Sequence, residues 1–152
     1  MRTMRQQITI AAPVERIWQA VHVDIKKVPR WSKSLVRTEV VGGGRLRVGS
    51  ELLYVVRLPM GRTVDLHLLV AEYDEYTHCA GSLDSAVMRG RWGWRYRTHG
   101  DRTTVVYETA VELKGMLRFA GRALEQQVLN DVRGNLQALK EYVAGGLTTS
   151  AR

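Results

Sequence analysis

The chain closes on one long amphipathic pattern, and no other feature of it restricts the fold as much. Over residues 116–143, Leu117, Ala120, Leu124, Val128, Val132, Leu136, Leu139 and Val143 recur at steps of three or four. Arg122, Glu125, Gln126, Arg133, Gln137, Lys140 and Glu141 mostly fall between them. That spacing puts the apolar residues on one stripe of an α-helix. At a rise of about 1.5 Å per residue the helix is on the order of 40 Å long. A stripe of that length needs a broad, curved sheet to cover it, and a sheet closing on a helix can leave a cavity between them.

The preceding residues supply the strands. Residues 6–11 read as a first strand, and Ala12-Pro13-Val14-Glu15 as a helix start, because the missing N–H of proline costs little in a first helical turn. Ile17, Trp18 and Val21 form the apolar side of this short helix, which fades near Asp24 with a further turn before Pro29. Strands are then expected at 34–41, 50–58, 62–73, 77–83, 87–98 and 103–113. Gly42-Gly43-Gly44 and His99-Gly100-Asp101-Arg102 provide turns between them. A strand, a short helix, a run of strands and a final helix make an α+β arrangement, unlike the alternating pattern of a parallel sheet.

A length of 152 residues fits one domain, expected over 1–145 with a flexible tail at 146–152. No apolar stretch approaches the roughly 20 residues of a membrane span. Residues 8–14 make a poor signal-peptide core, being short and broken by Pro13, so a cytoplasmic protein is expected. The single cysteine, Cys79, leaves no internal disulfide. The 23 Lys and Arg exceed the 15 Asp and Glu by eight, which raises the question of an anionic partner. The arginines are scattered, however, without a run of like charge, as on an ordinary solvated surface.

This order of elements, with Ile8-Thr9-Ile10-Ala11-Ala12-Pro13-Val14-Glu15-Arg16-Ile17-Trp18, then Pro29-Arg30-Trp31, then Val48-Gly49 opening the next strand, resembles the helix-grip superfamily. That superfamily includes polyketide cyclases and aromatases, lipid-transfer domains related to the steroidogenic acute regulatory protein, and plant pathogenesis-related proteins. The resemblance spans residues 5–143 and is closest to the polyketide cyclase/dehydrase-like branch. It implies a helix-grip fold, a seven-stranded antiparallel sheet wrapped around the long C-terminal helix with a deep apolar cavity between them. It also implies a lipid, sterol, polyketide, quinone or hormone as ligand. Some members catalyse cyclisation or dehydration and many only carry. The superfamily has no fixed catalytic motif, so the resemblance assigns no catalytic residue.

In the strand from Met88 to Arg97, Met88, Trp92, Trp94 and Tyr96 share one face, and Arg89, Arg91, Arg95 and Arg97 share the other. Binders of single-stranded nucleic acid need stacking aromatics and cations on one surface. The opposed faces argue against such a partner and place the arginines near Glu108, Glu112 or Glu72 of other strands. The aromatic face either lines a ligand cavity or fills the core. Tyr54 and Val56 on one strand, and Val105, Tyr107 and Thr109 on another, have the spacing to share it, which would add two phenols to an apolar wall. Candidate ligand-binding residues are therefore Tyr54, Val56, Trp92, Trp94, Tyr96 and Tyr107, with Trp31 at the cavity mouth. From the long helix, Leu117, Ala120, Leu124 and Val128 are expected to be both core and cavity wall, and Leu136, Leu139 and Val143 core alone.

Asp65 and His67 lie two apart on a strand and so on one face, which makes them weak candidates for an acid/base pair. The opposite face carries Val64, Leu66, Leu68 and Val70, the better interior, so Asp65 and His67 are expected outside. His22 with Asp24 is a weaker candidate still. The four histidines lack metal-ligand spacing, Gly42-Gly43-Gly44 leads to a strand where a dinucleotide loop would lead to a helix, and no nucleophile elbow occurs. No metal and no cofactor are expected. The residues point to binding or transport of a hydrophobic, ring-containing small molecule. The alternative is a polyketide cyclase/dehydrase-type enzyme without a metal or covalent nucleophile.

Overall fold

The computed structural model describes residues 2–58, 61–115 and 121–150, with the side chains of the last segment described at 123, 126, 127, 130, 131 and 133–145. Its strands are β1 (Arg2–Ile10), β2 (Leu35–Val40), β3 (Glu51–Arg57), β4 (Thr63–Asp74), β5 (His78–Asp84), β6 (Met88–His99) and β7 (Arg102–Leu113). They form a single antiparallel sheet in the order β1-β7-β6-β5-β4-β3-β2. Six of the seven lie within two residues of the ranges expected from alternation. The exception is β1, which starts four residues early because its polar end, Arg2 to Arg5, pairs with Thr109 to Val111 and Glu108 of β7. Register breaks between Leu35 and Arg37 and between Val70 and Glu72 add twist to the curled sheet. Three successive glycines, Gly42 to Gly44, all take positive φ in the turn after β2, where a side chain would be strained.

Because β1 and β2 are the two edges of the sheet, the chain between them must cross its whole width. It does so as α1 (Val14–Trp18), a π-turn (Gln19–Val23) and a 3-10 segment (Ile25–Arg30). Asp24 N donates to Gln19 O at 2.8 Å, the five-residue step that widens the helix there. The buried residues of the crossing, Val14, Ile17, Trp18, Val21, His22, Ile25 and Val28, all turn toward the concave face of the sheet.

The long helix α2 (Gly121–Ser150) closes the same face. It runs past Val143 through Gly145 and Gly146, since a glycine inside a helix costs only about 1 kcal/mol and the ladder of backbone hydrogen bonds continues. Leu136, Leu139 and Val143 are buried in the same core cluster as Ile10, Trp18, Val105 and Tyr96, while Arg133, Gln137, Lys140 and Glu141 are exposed. This is the helix-grip architecture.

The opposed faces of β6 are also present. Trp92 and Tyr96 are buried and Met88 and Trp94 partly so, whereas Arg89, Arg91, Arg95 and Arg97 are exposed on the convex side. There Arg89 pairs with Glu112 at 3.2 Å, and Arg5 with Glu108 at 3.4 Å. Among the described residues no helix is long and apolar enough to cross a membrane.

Candidate functional site

A cavity of about 240 Å³ lies between the concave face, the crossing segment and α2. Six sheet strands line it, most of them through the two-residue period: Leu52, Tyr54 and Val56 from β3, Leu66 and Leu68 from β4, Trp92 and Trp94 from β6, and Tyr107 and Thr109 from β7, with Leu35 from β2 and Leu83 from β5. The register sets Trp94 opposite Tyr107 and Trp92 opposite Thr109, which brings the first two rings to 4.6 Å between centroids. Trp92 Nε1 donates to the Ser82 carbonyl at 2.8 Å, which fixes that indole and leaves its ring for the cavity. The crossing segment adds Val21, His22, Ile25, Val28 and Trp31.

The wall is mostly apolar, and its polar groups fall into two sets. At the α2 side Gln127, Asp131 and Asn135 recur at steps of four, joined across the opening by Arg57 and Ser34. Partial loss of hydration there raises the Asp131 carboxyl from its ordinary value. Deeper, burial raises the phenols of Tyr54 and Tyr107 above their ordinary values, reinforced at Tyr54 by neighbouring Tyr107 and Cys79 and partly offset at Tyr107 by Thr109. His22 is 4% exposed, and its Nε2 lies 2.7 Å from the hydroxyl of Tyr96. Burial lowers its pKa from 6.5 to about 3, so the imidazole is neutral at neutral pH.

Trp31, Tyr54, Val56, Trp92, Trp94 and Tyr107, expected at a cavity from the sequence, do line one. Trp31 is not at the mouth: it is 4% exposed, with Nε1 toward the Ala20 carbonyl at 3.4 Å. Tyr96 shares the inner face of β6 but sits behind the cavity, packed on Trp18 at 5.3 Å and bonded to His22. Leu117 and Ala120 lie outside the described residues, as do the side chains of Leu124 and Val128. In the described part of α2, Leu136 is cavity wall as well as core, contrary to its expected role as core alone.

Asp65 and His67 are corrected as acid/base candidates. Both are exposed on the convex face, where His67 Nδ1 lies 3.3 Å from Glu51 Oε1, because Leu66, Leu68 and Val70 take the inward positions. The residue that sequence reasoning undervalued is His22. It lies four residues after Trp18 and so on the same helical side, the one signal that pointed inward; the rings are 4.3 Å apart. Among the described residues no group of three or more His, Cys, Asp or Glu side chains is placed to hold a metal ion.

Comparison with known proteins agrees with this geometry. No curated protein matches the sequence. Among solved structures, the protein TTHA0849 from Thermus thermophilus superposes with a TM-score of 0.79 at 23% identity, covering 95% of this chain and 99% of that one. A START superfamily protein from Mycobacterium smegmatis gives 0.76 at 18% identity, covering 94% and 97%. The Zhui aromatase/cyclase from Streptomyces sp. R1128 gives 0.79 at 15% identity, covering 94% and 93%. At these identities the likeness is one of fold. The family described as polyketide cyclase/dehydrase and lipid transport matches residues 1–144, nearly the whole chain, and the protein belongs to that family.

Proposed function

We propose that the protein binds a hydrophobic, ring-containing small molecule in the cavity between sheet and helix and carries it without changing it. The observation that supports this reading is the composition of the wall. Trp31, Trp92, Trp94, Tyr54 and Tyr107 offer ring faces and edges, which suit a flat ring system better than a single alkyl chain. The volume, about 240 Å³, lies a little below the usual range of small-molecule pockets, roughly 300–1,000 Å³, in keeping with a compact ligand. Apolar burial supplies the affinity, at about 25 cal/mol per Å², and the phenols of Tyr54 and Tyr107 orient the ligand.

The histidine of the cavity argues for carrying over catalysis. A general base works best with a pKa near the operating pH, and His22, at about 3, is far below it. The carrier reading needs no cofactor, and a cytoplasmic site of action goes with it. Native mass spectrometry of protein purified from its own cells tests the reading. A co-purified aromatic or polycyclic species supports it, and protein that emerges empty and fails to bind a panel of such compounds overturns it.

A second reading, a polyketide cyclase/dehydrase-type enzyme, is favoured by the family description and by neutral hydrogen-bonding groups inside the cavity. It predicts turnover of a ring-forming ketone chain that Tyr54→Phe abolishes while binding persists. Binding without turnover in the unaltered protein counts against it.

A further inference from the structure

A buried polar contact at the cavity joins two residues that neither packing nor surface chemistry requires. His22 lines the cavity, and Tyr96 does not. Their 2.7 Å contact therefore runs from the cavity wall into the core behind it. Tyr96 is 5% exposed, and among the described residues its hydroxyl has no hydrogen-bond partner other than His22 Nε2. A phenol proton enclosed there needs an acceptor, and an unsatisfied buried donor costs roughly 1–3 kcal/mol. The arrangement that satisfies the donor enclosed behind the cavity has Tyr96 donating to the lone pair of Nε2, which puts the imidazole proton on Nδ1. No protein acceptor for Nδ1 occurs among the described residues, yet Nδ1 is not one of the polar atoms closed off in the core without a partner, as Trp18 Nε1 is, and His22 lines the cavity. Trp18 at 4.3 Å and Trp94 at 6.0 Å, edge to face, hold the ring in that orientation. The backbone beneath it is the π-turn, a departure from regular helix that often marks a functional position.

We infer that His22, fixed in one tautomer by Tyr96, is a specificity-determining residue whose Nδ1–H donates a hydrogen bond to a neutral carbonyl oxygen on the bound ring system. This rests on the carrier reading and sharpens its ligand class to cyclic ketones, enones and quinones. A carboxylate does not fit, because a neutral imidazole brings no charge to offset the burial of an anion. An amine or ammonium ligand does not fit either, since the position already presents a proton.

The test uses two probes of nearly equal shape, 1-tetralone and tetralin, which lacks the carbonyl, with binding followed by quenching of tryptophan fluorescence. The full-length protein is expected to bind both and to prefer tetralone about fivefold to tenfold, the worth of one neutral hydrogen bond in an apolar site. His22→Phe should bind both with that preference gone. His22→Asn, whose side-chain amide carries an N–H near the position of Nδ1, should restore part of it. Long-range proton–nitrogen NMR on the unaltered protein supplies a measurement that needs no variant: Nδ1 should carry the proton, and Tyr96→Phe should mix the tautomers. Equal affinity for the two probes, a preference that survives in His22→Phe, or a proton found on Nε2 overturns the inference while leaving the cavity reading intact. Failure of the unaltered protein to bind either probe overturns the cavity reading, and this inference with it.

Discussion

Trp92 lies directly over Gly81: a Cβ at position 81 would come 3.1 Å from the indole Cζ2 and 1.7 Å from the carbonyl oxygen of Leu69. The missing side chain lets β4 and β5 close up as the sheet curls, and the indole that lines the cavity settles into the space. Gly81→Ala is therefore expected to move backbone and tilt Trp92, at about 1–3 kcal/mol for overpacking. Gly93→Ala is the control, because its Cβ would meet only Ala80 Cβ at 3.6 Å, an ordinary contact. Urea unfolding of the two variants should show a lowered midpoint for the first and little change for the second.

The described part of α2 is gripped at Leu139 more firmly than at Leu136. Leu139 is 0% exposed within the core, whereas Leu136 borders the cavity. Leu139→Ala should cost about 2–5 kcal/mol. Leu136→Ala should cost less, since part of its surroundings is already open, and should alter ligand affinity where Leu139→Ala does not. Denaturant melts and dye displacement from the cavity check both halves.

His22 makes stability fall on mild acidification. Its folded pKa of about 3 lies below the unfolded 6.5, so between these values the unfolded chain binds the extra proton. The contribution is complete above about pH 6.5 and is lost as pH falls toward 3, with a slope of up to about 1.4 kcal/mol per pH unit. From pH 7 to pH 5 the native protein should lose about 2 kcal/mol from this group. His22→Phe should flatten that part of the profile, as read from urea midpoints at the two pH values; an unchanged slope contradicts the neutral imidazole.

Cys79 should be inert while the protein is folded. The side chain is buried, and burial pushes its thiol up to about 12, so little thiolate exists at pH 8 to attack a reagent. An aromatic disulfide reagent should label it fully in denaturant and only at the rate of opening without it. Rapid labelling of the native form would contradict this packing.

What the sequence discloses depends on the range of the interaction. The alternation from Met88 to Arg97 and the steps of Leu136, Leu139 and Val143 are local periods, so strand faces and helix stripe are legible before any partner is known. Val56, Tyr54 and Tyr107 follow from the same period. Tyr96 shares its face with Trp94 yet sits behind the cavity, because the crossing segment brings His22 and Trp18 over it, contacts 74 and 78 positions away in sequence. Periodicity carries no information about such pairs. The polar edge of Gln127, Asp131 and Asn135 was hidden for another reason: an apolar stripe marks what a helix buries and is silent about which flank borders an opening.

The strand order has a consequence for how the chain reaches its shape. β1, the earliest strand made, pairs with β7, the last, and the Thr9 and Thr104 hydroxyls that meet at 3.1 Å are 95 residues apart. Its hydrogen-bonding edge must wait through the synthesis of every other strand before it finds a partner. Contacts that distant slow folding and leave an edge open to association meanwhile. Arg5, Gln6 and Gln7 interrupt the apolar pattern of β1, and polar and charged side chains on an unpaired edge work against its association with other chains.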